Sequence, residues 1–129
     1  SRSAVFSIFE LTDALGRKNK EKALNRLSRL LESGEALPAI LGPITRHFNY
    51  LIMIDSLKEL KNNNMIASRV GVKPFFVQKC REQIDNFEGS TLKLTMKYIF
   101  EAEYQSRYEK MTPAFILENL VSKIADLQE

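Results

Sequence analysis

Cysteine, histidine and tryptophan are scarce in this sequence, whose 129 residues include one cysteine, one histidine and no tryptophan. The single cysteine, Cys80, excludes an internal disulfide and is typical of a reducing compartment. Because it lies one helical turn from both Val77 and Ile84, we expect it to be a small buried side chain. The lone His47 has no second histidine or cysteine beside it to complete a metal site, so we expect a packing or surface role.

Long hydrophobic runs and glycine-rich loops are also absent. No apolar stretch approaches the roughly 20 residues of a membrane span, and we recognise no secretion signal, so we expect a cytoplasmic protein without membrane attachment. The five glycines are dispersed and form no GxxxxGK phosphate-binding loop. No nucleophile, base and orienting group fall into a catalytic pattern. We therefore expect no enzyme, no catalytic residues, no cofactor and no bound metal.

Length and charge are those of one ordinary globular domain over residues 1–129. A chain of this length buries about two-thirds of its unfolded surface. The net charge of +3 is mildly basic, which permits an acidic partner without requiring one. The sequence begins without methionine, and we expect it to be a piece of a longer protein.

What the sequence does contain is helical periodicity in seven segments. Asn19 and the pair Thr112-Pro113 are helix-opening signals, and glycines follow several of the segments. No segment shows the two-residue alternation of a strand. We therefore predict an all-α bundle of about seven helices with short connections, near residues 4–15, 19–31, 37–61, 65–70, 74–86, 91–109 and 113–127.

The third segment is predicted to be the central helix. Its apolar residues cover well over half of the helix circumference, which is typical of a helix with neighbours on several sides. Gly34 is expected to end the preceding helix and Pro38 to occupy the first turn. Gly42 and Pro43 predict an irregular first turn or a kink.

Residues 65–80 fit a helix-turn-helix template. Ala67 allows two helices to approach, Gly71 supplies the turn, and apolar residues fill the angle between the helices. One of Phe75 and Phe76 is expected to be packed and the other to lie at the rim, because successive helical residues point about 100° apart. The start of the second helix offers no polar residues for reading base edges, so the pattern predicts a structural unit more strongly than DNA recognition.

The sixth segment suggests two further features. Glu103 falls within the apolar stripe formed by Leu92, Met96, Ile99 and Phe100, and Arg107 follows one turn later in the favourable order for an ion pair. We predict a structural pair and leave two alternatives open. One is a solvated pair at the edge of the core, and the other is a semi-buried pair that also receives Arg46 or a polar main-chain group. Leu94 and Tyr98 lie off this stripe, and with Phe75 they are our candidates for an interface between subunits.

Five stretches, in this order, resemble the C-terminal helical domain of the bacterial DNA polymerase III delta subunit, a component of the clamp loader. They are LTDALG (11–16), LLESGEALPAILGPITRHFNYL (30–51), IASRVGVKPFFVQK (66–79), EAEYQSR (101–107) and TPAFILENL (112–120). The family usually has Asp and Lys where Glu103 and Arg107 stand, and these substitutions preserve the pair. It favours Gly where Glu109 stands, so this sequence departs from the family at the predicted exit of the sixth helix.

The resemblance implies a non-catalytic oligomerisation module. In that family the full subunit has AAA+-like N-terminal domains, which are absent from this sequence, followed by a helical domain that packs into a circular collar. The implied partners are clamp-loader subunits of the gamma/tau and delta-prime types, with the sliding clamp and DNA reached only through the full-length complex. The alternative hypothesis is a helix-turn-helix DNA-binding regulator that uses residues 66–79.

Overall fold

A computed structural model describes residues 2–128, which form seven helices and no strand. The predicted all-α class is therefore confirmed over this range. The helices are α1 (Arg2–Gly16), α2 (Lys20–Glu32), α3 (Leu37–Ser56), α4 (Asn63–Val70), α5 (Pro74–Ile84), α6 (Thr91–Tyr108) and α7 (Pro113–Ala125).

Local chemistry sets most of the helix ends. The Asn19 side chain accepts a hydrogen bond from the Lys22 amide at the start of α2, and Thr112 accepts one from the Phe115 amide at the start of α7. Gly34 has a φ of 80° just after α2, a backbone conformation that glycine adopts without steric cost. These three predicted ends are confirmed.

Helix α3 is central, as predicted. It packs against α1, α4, α5, α6 and α7. It continues through Pro43 to Ser56. Its fully buried apolar side chains form the middle of the core and are Ile40, Ile44, Phe48, Leu51 and Ile54.

The predicted end of this helix near residue 61 is wrong, because α3 ends at Ser56. The Arg81 guanidinium, from α5, donates a hydrogen bond to the Leu60 carbonyl at 2.5 Å and thereby ties the segment that follows α3 to α5. Asn62 then caps α4 by accepting hydrogen bonds from the Asn64 and Met65 amides, so α4 begins two residues earlier than predicted.

Helices α1 and α2 form an antiparallel pair, which α7 also contacts. An ion pair links the two helices, with 2.7 Å between Arg26 Nε on α2 and Glu10 Oε1 on α1. The hydrogen bond from Arg26 is the main reason that the pKa of Glu10 lies below its ordinary value. Helix α7 joins this pair to α6.

The helix-turn-helix unit is present in α4 and α5. Gly71 has a φ of 87°, and its amide donates to the Ala67 carbonyl at 2.8 Å. Ile66, Ala67, Val77 and Cys80 are buried between the helices and the core. The structural part of the motif prediction is therefore confirmed.

Candidate protein-interaction surface

The three predicted interface residues differ in exposure. Phe75, in the first turn of α5, is 79% exposed. Leu94 and Tyr98 are half-buried on α6, and the Lys123 ammonium lies 5.1 Å from the centre of the Tyr98 ring. Phe75 is therefore free to meet another molecule, while Tyr98 is already engaged by α7. A role for the three in contact between subunits stays a prediction.

Glu103 and Arg107 approach each other on α6, with 3.2 Å between Glu103 Oε1 and Arg107 Nη2. Their side chains are 44% and 65% exposed, respectively, so the geometry is that of the solvated alternative and not of a semi-buried pair. Arg46 makes no ion pair with Glu103. Water screens such a pair, and we expect it to contribute little to stability.

The predicted stripe of α6 is wrong at one position, because Phe100 is 62% exposed. Helix α6 packs mainly against α3 and α7, and the residues that it buries there are Thr91, Leu92, Thr95, Ile99 and Ala102. The buried face therefore lies to one side of the predicted stripe and includes two threonines. Thr95 satisfies its hydroxyl by donating to the Thr91 carbonyl at 2.9 Å.

An apolar groove lies where α1, α3 and α5 meet, and we call it the α1–α3–α5 groove. Its volume is about 270 Å³. The apolar part of its wall comes from all three helices and consists of Val5, Ile8, Phe9, Pro43, Tyr50 and Phe76. Phe76 packs edge-on against Tyr50, with 5.4 Å between the ring centres. Of the phenylalanine pair on α5, Phe76 is thus the packed member, although its neighbours belong to α3.

Buried and half-buried polar groups form one side of this groove. Gln83 Oε1 lies 2.6 Å from His47 Nε2, and the Gln83 amide nitrogen donates to Asp13 Oδ1 at 3.1 Å. Asp13 also pairs with Arg17 at 3.1 Å and with Lys79 at 3.3 Å. This chain of contacts, the Asp13–Gln83–His47 network, links α1, α5 and α3 and fixes their relative positions.

Burial determines the chemistry of His47. It lowers the pKa of the imidazole, while the hydrogen bond to Gln83 and the charge of Asp13 act in the opposite direction. The ring also packs against Phe48 and Phe76. Because it is buried and already hydrogen-bonded, His47 serves a packing role in this fold.

Gly16 makes the network possible. A Cβ atom at this position would lie 1.9 Å from Gln83 Oε1, so only glycine leaves room for the buried amide. The Asn86 side chain also donates to the Gly16 carbonyl at 3.0 Å. From the sequence, Gly16 is predicted only as the residue that follows the first helical segment, and Gln83 is not predicted as a functional residue. The available signal was the spacing of Gln83 with Val77 and Cys80, which places it on the buried face of α5.

A second groove lies between α3 and α6, and we call it the α3–α6 groove. Its volume is about 510 Å³, and its wall includes Leu41, Met53 and the Glu103–Arg107 pair. Arg46 and Tyr50 line both grooves. They therefore form a ridge of α3 that separates two adjacent concave surfaces on one side of the molecule.

Little in the structure suggests chemistry on a substrate. No group of three or more potential metal-ligating side chains gathers within residues 2–128. Burial raises the pKa of Cys80 to about 12, which keeps the thiol protonated and unreactive. None of the helices in the described range has the length and hydropathy needed to cross a bilayer. The prominent surface features are apolar grooves, which suit contact with another macromolecule.

Comparison with known proteins agrees with the fold. The family model described as "DNA polymerase III delta subunit, C-terminal domain" matches residues 6–124. Among solved structures, the chain is similar to the DNA clamp loader delta protein of Bacillus subtilis, with a TM-score of 0.83 and 23% sequence identity. This similarity covers 98% of the chain and 38% of the Bacillus subtilis protein. No curated protein sequence matches this one.

Proposed function

The chain belongs to the family defined by the C-terminal domain of the DNA polymerase III delta subunit, and from this membership we propose that it is an assembly domain of a bacterial clamp loader. The resemblance carried by five sequence stretches is thereby confirmed at the level of the family. The observation that carries the proposal is the match over residues 6–124, together with a shared fold over nearly the whole chain.

The proposed role is non-catalytic. The domain would hold clamp-loader subunits together through a collar, in the bacterial cytoplasm, while AAA+-like domains elsewhere in the full-length subunit act on the sliding clamp. Gamma/tau-type and delta-prime-type subunits are the proposed partners. The two grooves beside Arg46 and Tyr50 support this role because they offer concave apolar surface on a rigid helical scaffold.

No observation favours the helix-turn-helix DNA-binding alternative. The start of α5 carries Pro74, Phe75 and Phe76 where a recognition helix needs polar side chains for base edges. Its later residue Lys79 is already paired with Asp13, and Arg81 is bound to the Leu60 carbonyl. The exposed aromatic ring of Phe75 suits a protein surface better than a DNA groove.

Mixing experiments test the proposal. The domain would be combined with purified gamma/tau-type and delta-prime-type subunits from the same organism and analysed by size-exclusion chromatography. Co-elution with at least one of them is expected. Elution of every protein at its separate position, at concentrations where full-length clamp loaders assemble, would contradict an assembly role.

Duplex binding distinguishes the alternative. A DNA-binding regulator loses affinity steeply between about 50 and about 200 mM salt because its phosphate contacts release counterions. The assembly domain is expected to show little duplex binding at either concentration. Tight, salt-dependent and sequence-selective binding would favour the regulator instead.

A further inference from the structure

We propose that the α1–α3–α5 groove receives a helix from a neighbouring clamp-loader protein, and that this helix presents an aromatic or branched aliphatic side chain to the groove and an acidic side chain to Arg46. The inference rests on the proposed assembly function and adds to it the location and the chemistry of one contact. Four observations support it.

The first observation is exposed apolar surface at the groove. Val5 and Phe9 on α1 are 67% and 53% exposed, and both line the groove beside half-buried Phe76 on α5. Burying such side chains under a partner is favourable by about 25 cal/mol for each Å² of apolar surface removed from water. An apolar surface of this kind, rimmed by charged residues, is typical of a protein-interaction site.

The second observation is size. At about 270 Å³, the groove lies at the lower end of the roughly 300–1,000 Å³ range of most small-molecule sites. It suits one or two anchoring side chains of a larger partner. Recognition of a helix by an apolar groove commonly uses such anchors, spaced one turn apart on one helix face.

The third observation is the balance of charge at the rim. Asp13, the acidic residue of the groove, already accepts from Arg17, Lys79 and Gln83. Arg46 is exposed and has no ion pair or side-chain hydrogen bond within residues 2–128. The uncompensated charge beside the apolar surface is therefore positive, and its complement is a carboxylate on the partner.

The small number of available cations at the groove also favours a protein over a nucleic acid. Non-specific nucleic-acid binding depends on several phosphate contacts made by lysine and arginine. The other basic side chain that lines this groove, Lys79, is bound to Asp13 and lies 4.3 Å from the centre of the Phe9 ring. A protein carboxylate next to an apolar anchor is the better match.

The fourth observation is rigidity. The Asp13–Gln83–His47 network ties α1, α5 and α3 together along the polar side of the groove. A groove whose walls are fixed before binding loses less conformational entropy when the partner arrives. We therefore expect the contact to form without rearrangement of the helices.

Matched variants test the inference in the same mixing system, with dissociation constants measured against the purified gamma/tau-type and delta-prime-type subunits. Phe9→Ala and Arg46→Glu are each expected to weaken binding at least about tenfold, as truncation of a central anchor or reversal of a facing charge does. Phe115→Ala and Arg69→Glu are the controls, because both residues are exposed and line neither groove. These controls are expected to bind within about twofold of the unaltered domain.

Salt dependence tests the charged part of the contact separately. The affinity of the unaltered domain is expected to fall as salt rises from about 50 to about 200 mM, because ions screen an attraction between exposed charges. Arg46→Glu is expected to remove or reverse this dependence, whereas Phe9→Ala is expected to keep it. Circular dichroism melts of every variant verify that the fold is retained.

The outcomes separate the inference from the proposed function. Binding by the unaltered domain, with Phe9→Ala and Arg46→Glu equal to their controls, would overturn the groove assignment and leave the assembly function standing. Absence of binding by the unaltered domain would overturn both. Self-association that Phe9→Ala abolishes, without any binding to the two types of partner, would show that a second copy of this chain occupies the groove and would also overturn the inference.

Discussion

At the scale of single residues, Gln83 can occupy its place in the wall of the α1–α3–α5 groove only because Gly16 has no side chain. Gly16→Ala would place Cβ 1.9 Å from Gln83 Oε1 and displace a buried amide that bonds both His47 and Asp13. We expect the free energy of unfolding to fall by about 1–3 kcal/mol, the usual cost of overpacking or of unsatisfied buried polar groups. Urea unfolding measures this loss.

Gly42→Ala is the matched control. Apart from its chain neighbours and the backbone of its own helix, no atom of the described residues lies within 4 Å of a Cβ built at this position. Alanine gains up to about 1 kcal/mol over glycine in a helix. Pro43 opposes this gain because it restricts the residue before it. We expect a net change below about 1 kcal/mol in either direction, and equal losses at Gly16 and Gly42 would contradict the steric explanation.

His47 predicts a pH dependence of stability. Its folded-state pKa is lowered by burial, whereas its value in the unfolded chain is about 6.5. Below that pH the unfolded chain binds more protons than the folded one, so the free energy of unfolding falls as pH falls toward the folded pKa. The slope from this group is at most about 1.4 kcal/mol per pH unit.

Urea unfolding at about pH 7.5, 6.5 and 5.5 measures this slope, and His47→Gln removes the titrating group. The variant is expected to have a smaller slope in this window. Glu10 does not interfere, because its pKa is lowered from an already acidic value. Its contribution to the pH dependence of stability therefore lies below the pH range of this experiment. Identical slopes for the two proteins would show that His47 is not responsible.

At the scale of elements, α6 carries the Glu103–Arg107 pair on its surface. The two side chains are 44% and 65% exposed, so we expect a coupling energy below about 1 kcal/mol. A double-mutant cycle with alanine at both positions, followed by urea unfolding, measures it. A coupling of about 3–5 kcal/mol would instead indicate a desolvated pair.

Helix α5 offers a comparison between adjacent residues of the same type. Phe76 packs against Tyr50 and His47, whereas Phe75 is 79% exposed. We expect Phe76→Ala to destabilise by about 2–3 kcal/mol, less than the loss for a fully buried phenylalanine, and Phe75→Ala by less than about 0.5 kcal/mol. Thermal or urea unfolding of both variants provides the measurement, and equal losses would contradict the packing of α5 on α3.

At the scale of the whole molecule, Cys80 reports on cooperative unfolding. Its side chain is fully buried and its thiol pKa is raised to about 12. We expect a thiol reagent to label it only when the whole domain unfolds. The opening free energy obtained from the labelling rate should then equal the free energy of unfolding measured in urea. Ser68→Cys, at an exposed position on α4, is expected to label in the folded state. A much lower opening energy at Cys80 would show that α5 opens locally.

The helices and most of their ends follow from local signals in the sequence. Asn19, Gly34 and Thr112 act through hydrogen bonds or backbone conformations that involve residues only a few positions away. Such signals can be read without knowing the fold. The apolar periodicity of α3 likewise indicated a central helix, since a helix that is apolar around most of its surface needs neighbours on several sides.

The end of α3, the exposed side of α6 and the α1–α3–α5 groove depend instead on how the helices pack together. Arg81 binds the Leu60 carbonyl from 21 residues away, and the packing of α6 on α3 and α7 leaves Phe100 in solvent. The Gly16–Gln83 contact likewise joins helices that are distant in the chain. Sequence could not predict these features because a concave surface depends on the relative positions of separate helices, and periodicity within each helix does not encode those positions.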